Sequence, residues 1–276
     1  MMELRPSERR TEDLLDLARR SARAAGDAIR AEFGRRSITQ RRGKHDVQLR
    51  ADLVAHEVIV KLLSEECPEI SIVSEEGSRS GWLSEGPIWA VDPLDGTNNF
   101  GYGVAHCAVI LSLFVGQRVR LAVVHDPLMG REFCASDTQP FQSSATAVTD
   151  PGEATVSLVS GYSEQARARA EQLWPTINRT CKRVLNLWAP GLDVALVADG
   201  AIDAMVCLDA DLLDVCGGAY ILKSAGGCLL DATGNELVIT RSMHSLPVSF
   251  VAARSHLLAR HLLQMLNEGL STGNKE

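Results

Sequence analysis

Regular cysteine spacing is missing from this chain. Its seven cysteines, Cys67, Cys107, Cys134, Cys181, Cys207, Cys216 and Cys228, form no CxxC pair and leave an odd total. Zinc sites and disulfide frameworks both need such spacing, so the set reads as buried free thiols in apolar stretches. Histidine is no more suggestive: there is no HExxH, and His256 and His261 stand five apart on a terminal helical stretch. No apolar run reaches the ~18 residues that a membrane span needs. The opening MMELRPSERRTEDLL is charged where a secretory signal is apolar. A cytoplasmic location without membrane contact is therefore expected. Internal repeats, low-complexity tracts and long linkers are lacking too, which excludes solenoids and loosely tethered arrays.

What remains is the composition of a soluble globular enzyme: 276 residues, 45% hydrophobic and 23% charged. That length fits one large domain or two tightly joined lobes. The net charge of −7 is unevenly spread, because residues 1–50 carry 13 Lys and Arg against 8 Asp and Glu, leaving the body strongly acidic. An acidic body is a poor partner for nucleic acid, whose binding rests on phosphate neutralisation. The basic run of Arg35, Arg36, Arg41, Arg42 and Lys44 reads either as a solvated face or as an attractor for an anionic substrate.

Residues 11–33 place Leu14, Leu17, Ala18, Ala22, Ala25 and Ile29 at helical spacing, and a second helical pattern runs from about Asp52 to Glu65 until Pro68 stops it. The period then shortens. EISIVS, PIWAVD, AVILSLFV and RLAVVHD read as strands. The polar, proline-containing stretch 136–154 is the expected boundary between an N-terminal lobe (about 1–150) and a C-terminal lobe (about 151–276). Beyond it a strand TVSLVSGY, a helix SEQARARAEQLW, a strand CKRVLNL, a helix through LDVALVADG and a strand AIDAMVCL alternate. A helix from about Leu213 to Ala225, strands GGCLL and PVSFVAA, and a final helix from Ser255 complete a mixed α/β pattern.

The informative segment is Trp89-Ala-Val-Asp92-Pro-Leu-Asp95-Gly96-Thr97-Asn98-Asn99-Phe100. A buried strand delivers Asp92 at its carboxyl end, Pro93 is expected to turn the chain out of the ladder, and Asp95 is placed as the N-cap of the helix behind it. Two carboxylates and free backbone N–H groups converging on one point suit a divalent metal beside a phosphate. Taken alone, Asp-x-x-Asp spacing is equally a strand end and a helix cap.

The full string resembles the signature of the inositol monophosphatase family, Trp-x-x-Asp-Pro-x-Asp-Gly-Thr-x-Asn-Phe, at every fixed position. Other motifs follow in order. Ser74-Glu75-Glu76-Gly77 follows the strand Ile70–Val73, and Asp46-Val47-Gln48-Leu49-Arg50-Ala51-Asp52 keeps two aspartates while losing a Val-Thr pair. Leu213-Asp214-Val215-Cys216-Gly217-Gly218 keeps the Asp and loses the Trp before it.

The resemblance implies a layered αβαβα sandwich of the sugar-phosphatase type, two lobes sharing one core, in a homodimeric Mg²⁺-dependent phosphatase. It implies Glu75, Asp92 and the Leu94 carbonyl at a first Mg²⁺, and Asp92, Asp95 and Asp214 at a second. Glu75 would help hold a loosely bound third, and Gly96 and Thr97 would donate backbone N–H groups to the phosphate. The attacking water would be oriented by Thr97, hydrogen-bonded to Asp52, with Glu75 close by; Asp52 alone would read as a helix N-cap. The chemistry agrees, since gathering four carboxylates without a cation is costly and oxygen donors favour Mg²⁺ or Mn²⁺ over zinc.

Relatives of this fold act on inositol phosphates, fructose bisphosphate, histidinol phosphate or 3′-phosphonucleotides, and Asn98-Asn99-Phe100 looks more like the inositol group. A non-catalytic regulatory relative is the alternative of a different class. Two departures bear on the substrate. Where the inositol group places a Glu seven residues before the last Asp, this chain has Cys207; where a Gly-Ser-Ala-Ala-like run is usual, it has Asn186-Leu-Trp188-Ala-Pro190-Gly. Either Trp188 faces the substrate pocket with Cys207 in place of the carboxylate, or Trp188 packs in the core and Asp209 or Asp211 supplies the acid.

Overall fold

The computed structural model describes residues 10–41 and 47–272; Arg42, Lys44 and Asp46 of the sequence motifs lie outside them. Helix α1 (Thr11–Ile29) buries the apolar positions read from the sequence and closes in a 3₁₀ turn, Arg30–Glu32. Two short strands unforeseen in the sequence, β1 (Ile38–Arg41) and β2 (Val47–Leu49), pair antiparallel before α2 (Arg50–Glu66).

A first five-stranded sheet has the order β3-β4-β5-β6-β7, from β3 (Ser71–Ser74), β4 (Ile88–Asp95), β5 (Ala108–Val115), β6 (Arg118–Asp126) and β7 (Arg131–Ser136). The short helix α3 (Thr97–Tyr102) leaves the end of β4. The second sheet comes from β8 (Thr155–Ser160), β9 (Arg183–Leu185), β10 (Ala204–Ala210), β11 (Cys228–Leu230) and β12 (Val248–Ala253), in the order β11-β12-β10-β8-β9. Helices α4 (Glu164–Thr180), α5 (Pro190–Asp199), α6 (Leu212–Ser224) and α7 (His256–Thr272) complete the chain. Helix α4 runs on through Pro175, past the end suggested by the sequence pattern, because Ile177 beyond it is fully buried against the second sheet.

The layers follow from which faces are apolar. Helices α1 and α2 cover one face of the first sheet, α5 and α6 fill the space between the sheets, and α4 and α7 cover the far face of the second. This is an αβαβα sandwich. Its middle layer has to be thin, and glycine provides that. A Cβ on Gly217 of α6 would meet Ile110 Cγ2 at 2.7 Å, and one on Gly191 of α5 would meet the Asp214 carbonyl oxygen at 2.2 Å. Helices α5 and α6 therefore bring their N-terminal ends together, against the carboxyl end of β4.

Pro93 does not end the ladder. Strand β4 continues to Asp95, with Asp92 opposite Ile110 and Asp95 opposite Ala108, so three steps on β4 match two on β5. A single extra residue is bulged out where proline has no N–H to give. Residues three apart on a regular strand point to opposite faces; the bulge cancels that alternation and sends both carboxylates to one side.

Candidate active site

Four separate elements bring acids to this bulge. Strand β3 pairs parallel with β4 so that Ser74 lies opposite Val91, and the Glu75 N–H continues the ladder by donating to the Val91 carbonyl at 3.1 Å. Glu75 thus stands beside Asp92. Asp214 arrives from the first turn of α6, whose N-cap Asp211 accepts from the Leu213 N–H at 3.0 Å. One carboxylate oxygen from each of Glu75, Asp92 and Asp214 lies within 4.8 Å of the others.

Asp95 joins them by a route the sequence did not suggest. It does not cap α3, whose N-cap is Gly96 at φ +84° with no side-chain capping bond. Its carboxylate instead accepts from the Leu192 N–H of α5 at 2.9 Å, satisfying a first-turn donor 97 residues away. Gly96 must be glycine for two reasons: its left-handed backbone, and the 2.7 Å approach that a Cβ would make to the His106 carbonyl oxygen.

Asp52 is not an N-cap either. It sits one turn into α2, where one oxygen accepts from the Leu49 N–H at 2.7 Å and the other from Thr97 Oγ1 at 2.8 Å. The Thr97 hydroxyl also lies 2.9 Å from the Leu94 carbonyl oxygen, so its single proton has two possible acceptors.

These groups surround a cavity of about 770 Å³. Glu75, Asp92, Leu94, Asp95, Gly96, Thr97, Trp188 and Asp214 line it, and Asp52 lies buried behind Thr97. Among its lining residues are six carboxylates and one guanidinium, that of Arg79. Burial pushes the carboxyls of Asp92, Asp95 and Asp214 well above the usual range. Repulsion from Glu75 adds to the shift at all three, and backbone N–H donors only partly oppose it at Asp92 and Asp95. Asp52 is raised to about 7, chiefly by burial, against the pull of its Thr97 and Leu49 donors. An excess of buried anionic oxygen with little protein cation to match it suits a hard divalent metal.

The sequence profile of the inositol monophosphatase family matches residues 10–269. This chain belongs to that family. Inositol monophosphatase 1 of Solanum lycopersicum is 29% identical over 245 residues, covering 83% of this chain and 88% of the tomato protein. Nus factor SuhB of Escherichia coli is 26% identical over 232 residues, covering 81% and 86%. Among solved structures, the Thermotoga maritima IMPase superposes with a TM-score of 0.81 at 23% identity, covering 94% of this chain and 99% of that one. The extragenic suppressor protein suhB of Bartonella henselae gives 0.82 at 19% identity over 93% and 99%. The family resemblance and the αβαβα architecture expected from sequence are thus both found.

The pocket wall differs from both readings offered by the sequence. Cys207 is fully buried in the middle core and does not line the cavity, so it meets no substrate there. Trp188 does line the cavity, its ring 4.8 Å from that of Tyr162. Asp209 and Asp211 line it as well, yet both are occupied: Asp209 accepts from Ser163 and Ser249 hydroxyls at 3.0 and 2.9 Å, and Asp211 accepts from Arg79 at 2.7 Å. Glu76 accepts from the Gln48 amide.

Arg79, Tyr162 and His244 are cavity residues that the sequence reading missed. The available signals were a cation four residues after Glu75 and the carboxyl end of strand β8, where α/β sheets place ligands. His244 had no signal. Buried Arg241 holds it in place, donating to the Trp82 and Gly86 carbonyls at 2.9 Å and so tying the 81–86 loop to the turn that carries His244. Asn99 has a comparable role, its amide donating to the carbonyls of His106 and Leu187 and fixing the Trp188 segment against α3.

Proposed function

We propose that this protein is a Mg²⁺-dependent phosphatase that hydrolyses a small soluble phosphomonoester by in-line attack of water. The observation that carries the reading is the convergence of Glu75, Asp92 and Asp214 from β3, β4 and α6 into one partly buried cluster, with buried Asp95 alongside. A protein gains nothing in stability from burying repelling carboxylates, so the arrangement is one selected for a cation and its chemistry.

Glu75, Asp92 and the Leu94 carbonyl would hold one ion, and Asp92, Asp95 and Asp214 a second. Mn²⁺ is compatible with the same oxygen donors, and Glu75 is placed to share a third ion. Bound Mg²⁺ would supply electrostatic stabilisation of charge on the attacking and leaving oxygens of the displacement. The side chains do the rest. When ionised, Asp52 accepts the Thr97 proton, which turns the Thr97 oxygen lone pairs toward the cavity, where they accept from a water and orient it. Glu75 stands ready to take the proton that this water loses. Gly96 and Thr97 present backbone N–H groups for the non-bridging phosphate oxygens. Asp95, fixed by Leu192, couples the position of β4 to that of α5. By family analogy the enzyme works as a homodimer in the cytoplasm.

Phosphate release from a panel of sugar, cyclitol, amino-alcohol and nucleotide monophosphates, with Mg²⁺ and with EDTA, tests this directly. Release that needs Mg²⁺ and stops in chelator is the expected result. Undiminished release in EDTA would sink the metal assignment. The second reading, a non-catalytic regulatory protein, is favoured by one finding: relatives bearing the name Nus factor SuhB are nearly as similar as those named for enzymes. No turnover across the panel, together with no millimolar Mg²⁺ binding by calorimetry, would select it.

A further inference from the structure

Three buried polar side chains from three parts of the fold meet at the start of α5, and the proposed reaction uses none of them. Asp193 of α5 stands between the other two. One of its carboxylate oxygens lies 2.8 Å from His106 Nε2, and the other accepts from the Ser157 hydroxyl at 2.6 Å. His106 belongs to the segment between α3 and β5, and Ser157 to β8 of the second sheet. Asp193 and Ser157 are fully enclosed and His106 nearly so, and none of the three lines the acidic cavity. The trio is not a nucleophile with its base, because the enclosed hydroxyl donates to the carboxylate and not to the imidazole.

What α5 holds gives the trio its purpose. The residue before Asp193 is Leu192, whose N–H donates to Asp95 at 2.9 Å. The Gly191 N–H also bonds to that carboxylate, and the charge of Asp193 is among those that raise its pKa. On the other side Gly96, the residue after Asp95, lies against the His106 carbonyl, which accepts from the Asn99 amide at 2.9 Å. Asp95 is thus clasped between the N-terminal turn of α5 and the His106 segment, and the contact of Asp193 with His106 joins the two sides. A buried ionic group rarely adds stability over an apolar replacement of the same shape. Its hydrogen bonds are directional, so it fixes position where apolar packing would tolerate a shift.

Resting on the phosphatase reading, we propose that Asp193, bonded to His106 and Ser157, is a positioning residue for the cation site at Asp95. It touches neither metal nor substrate. It sets where the Leu192 and Gly191 N–H groups stand, and through them how firmly the Asp95 carboxylate is aimed. Its charge, enclosed close to Asp95, adds to the field that draws a divalent ion. The trio spans both sheets and the helical layer between them, so the site is held from both lobes at once. Loosening the trio weakens cation binding first and leaves the loaded enzyme nearly as fast.

The test is Mn²⁺ binding to the full-length, metal-free protein, followed by the paramagnetic resonance of the free ion. The site concerned is the one that Asp95→Asn abolishes. There Asp193→Asn, which keeps the shape and removes the charge, should raise Kd roughly 10-fold, the lower end of what outer partners of metal ligands contribute. His106→Leu should do the same, and His106→Gln, whose amide can donate where Nε2 does, should restore most of the affinity. Ser157→Ala, the mildest change, should raise Kd several-fold. Adding Asp193→Asn to Asp95→Asn should leave the residual binding as it was, because one residue acts through the other. In phosphate release, the Mg²⁺ needed for half-maximal rate should rise with Kd, while kcat at saturating Mg²⁺ stays within about threefold of wild type. A purely structural role would lower the melting temperature and leave these constants alone. Unchanged Mn²⁺ affinity in whichever of these variants fold would overturn the inference. Failure of even Ser157→Ala to fold would also overturn it, assigning the trio to the fold. If the wild-type protein binds no Mn²⁺ at millimolar concentration, the metal reading itself fails and takes this inference with it.

Discussion

The first sheet carries two groups of acids at the same edge, and the protein treats them in opposite ways. At the end of β6, buried Asp126 accepts from the Leu128 and Met129 N–H groups and from Arg131 at 2.7 Å. Next to it on β7, Glu132 is gripped by Arg19 and Arg23 of α1, each at 2.6 Å, and its pKa falls below the usual carboxylate range despite burial. At the end of β4, two strands away, Asp92, Asp95, Asp214 and Glu75 face one another with Arg79 the single guanidinium lining their cavity, and burial and repulsion drive the three aspartates upward. Sheet, burial and residue type are alike at the two places; compensation by arginine is not. Where a carboxylate serves the fold, the chain supplies its cation. Where, on the proposed function, it would serve chemistry, the chain leaves the cation to come from solution.

The sharpest way to break that contrast is to neutralise one acid at each place. Asp92→Asn or Asp95→Asn should lower kcat by at least ~10³ while leaving a folded protein, because each removes charge that acts on the transition state. Glu132→Gln should leave kcat within about twofold. If the two substitutions cost similar activity in a phosphate-release assay, the distinction is wrong.

A smaller effect sharpens the picture of how water is positioned. Thr97→Ala and Asp52→Asn should each lower kcat by roughly 10²-fold, within the range for positioned proton-handling groups. If the hydrogen bond between them makes them one unit, the double variant should be little worse than the poorer single one. Losses that simply multiply would show that they act separately.

Stability should show the reverse order. Asp126→Asn breaks a buried pair and leaves Arg131 partly uncompensated; since Arg131 is about a third exposed, the loss should be about 2–3 kcal/mol in urea unfolding. Asp92→Asn in metal-free protein should be neutral or stabilising, because it removes a buried repelling charge. Equal losses from both would contradict the assignment of roles.

The smallest effect is in pH dependence. Asp52 titrates near its ordinary value of 3.8 when unfolded and at about 7 when folded, so folding takes up a proton across that window. Metal-free stability should therefore fall as pH rises from about 4 to 7, with Asp52 contributing to that slope. Asp52→Asn should flatten the slope, as should Mg²⁺, which favours the ionised cluster. Glu132 works the other way: its depressed pKa contributes stability above the ordinary carboxylate range that is lost as pH falls.

The sequence by itself determined what short-range order can encode. The apolar spacing of α1, the Val- and Ile-rich strands and the string from Trp89 to Phe100 were all legible, because each depends on neighbours within a few residues. The motifs also named the acids that meet at the cavity. What the tertiary structure alone decided is how those acids are held. Asp95 reads locally as the cap of the helix that follows it, yet a glycine already occupies that position with a left-handed backbone, and its carboxylate serves a helix 97 residues downstream. Pro93 reads locally as a strand end, yet neighbouring β5 continues the ladder and turns the same proline into a bulge. Counting along the chain placed Cys207 at the substrate, but counting cannot say which side of β10 is covered by α5, and that side is the core. Arg79 with Asp211, Tyr162 with Trp188 and Arg241 with the 81–86 loop pair residues far apart in sequence. No local pattern records such a pairing; it exists only once two sheets and the helices between them have packed.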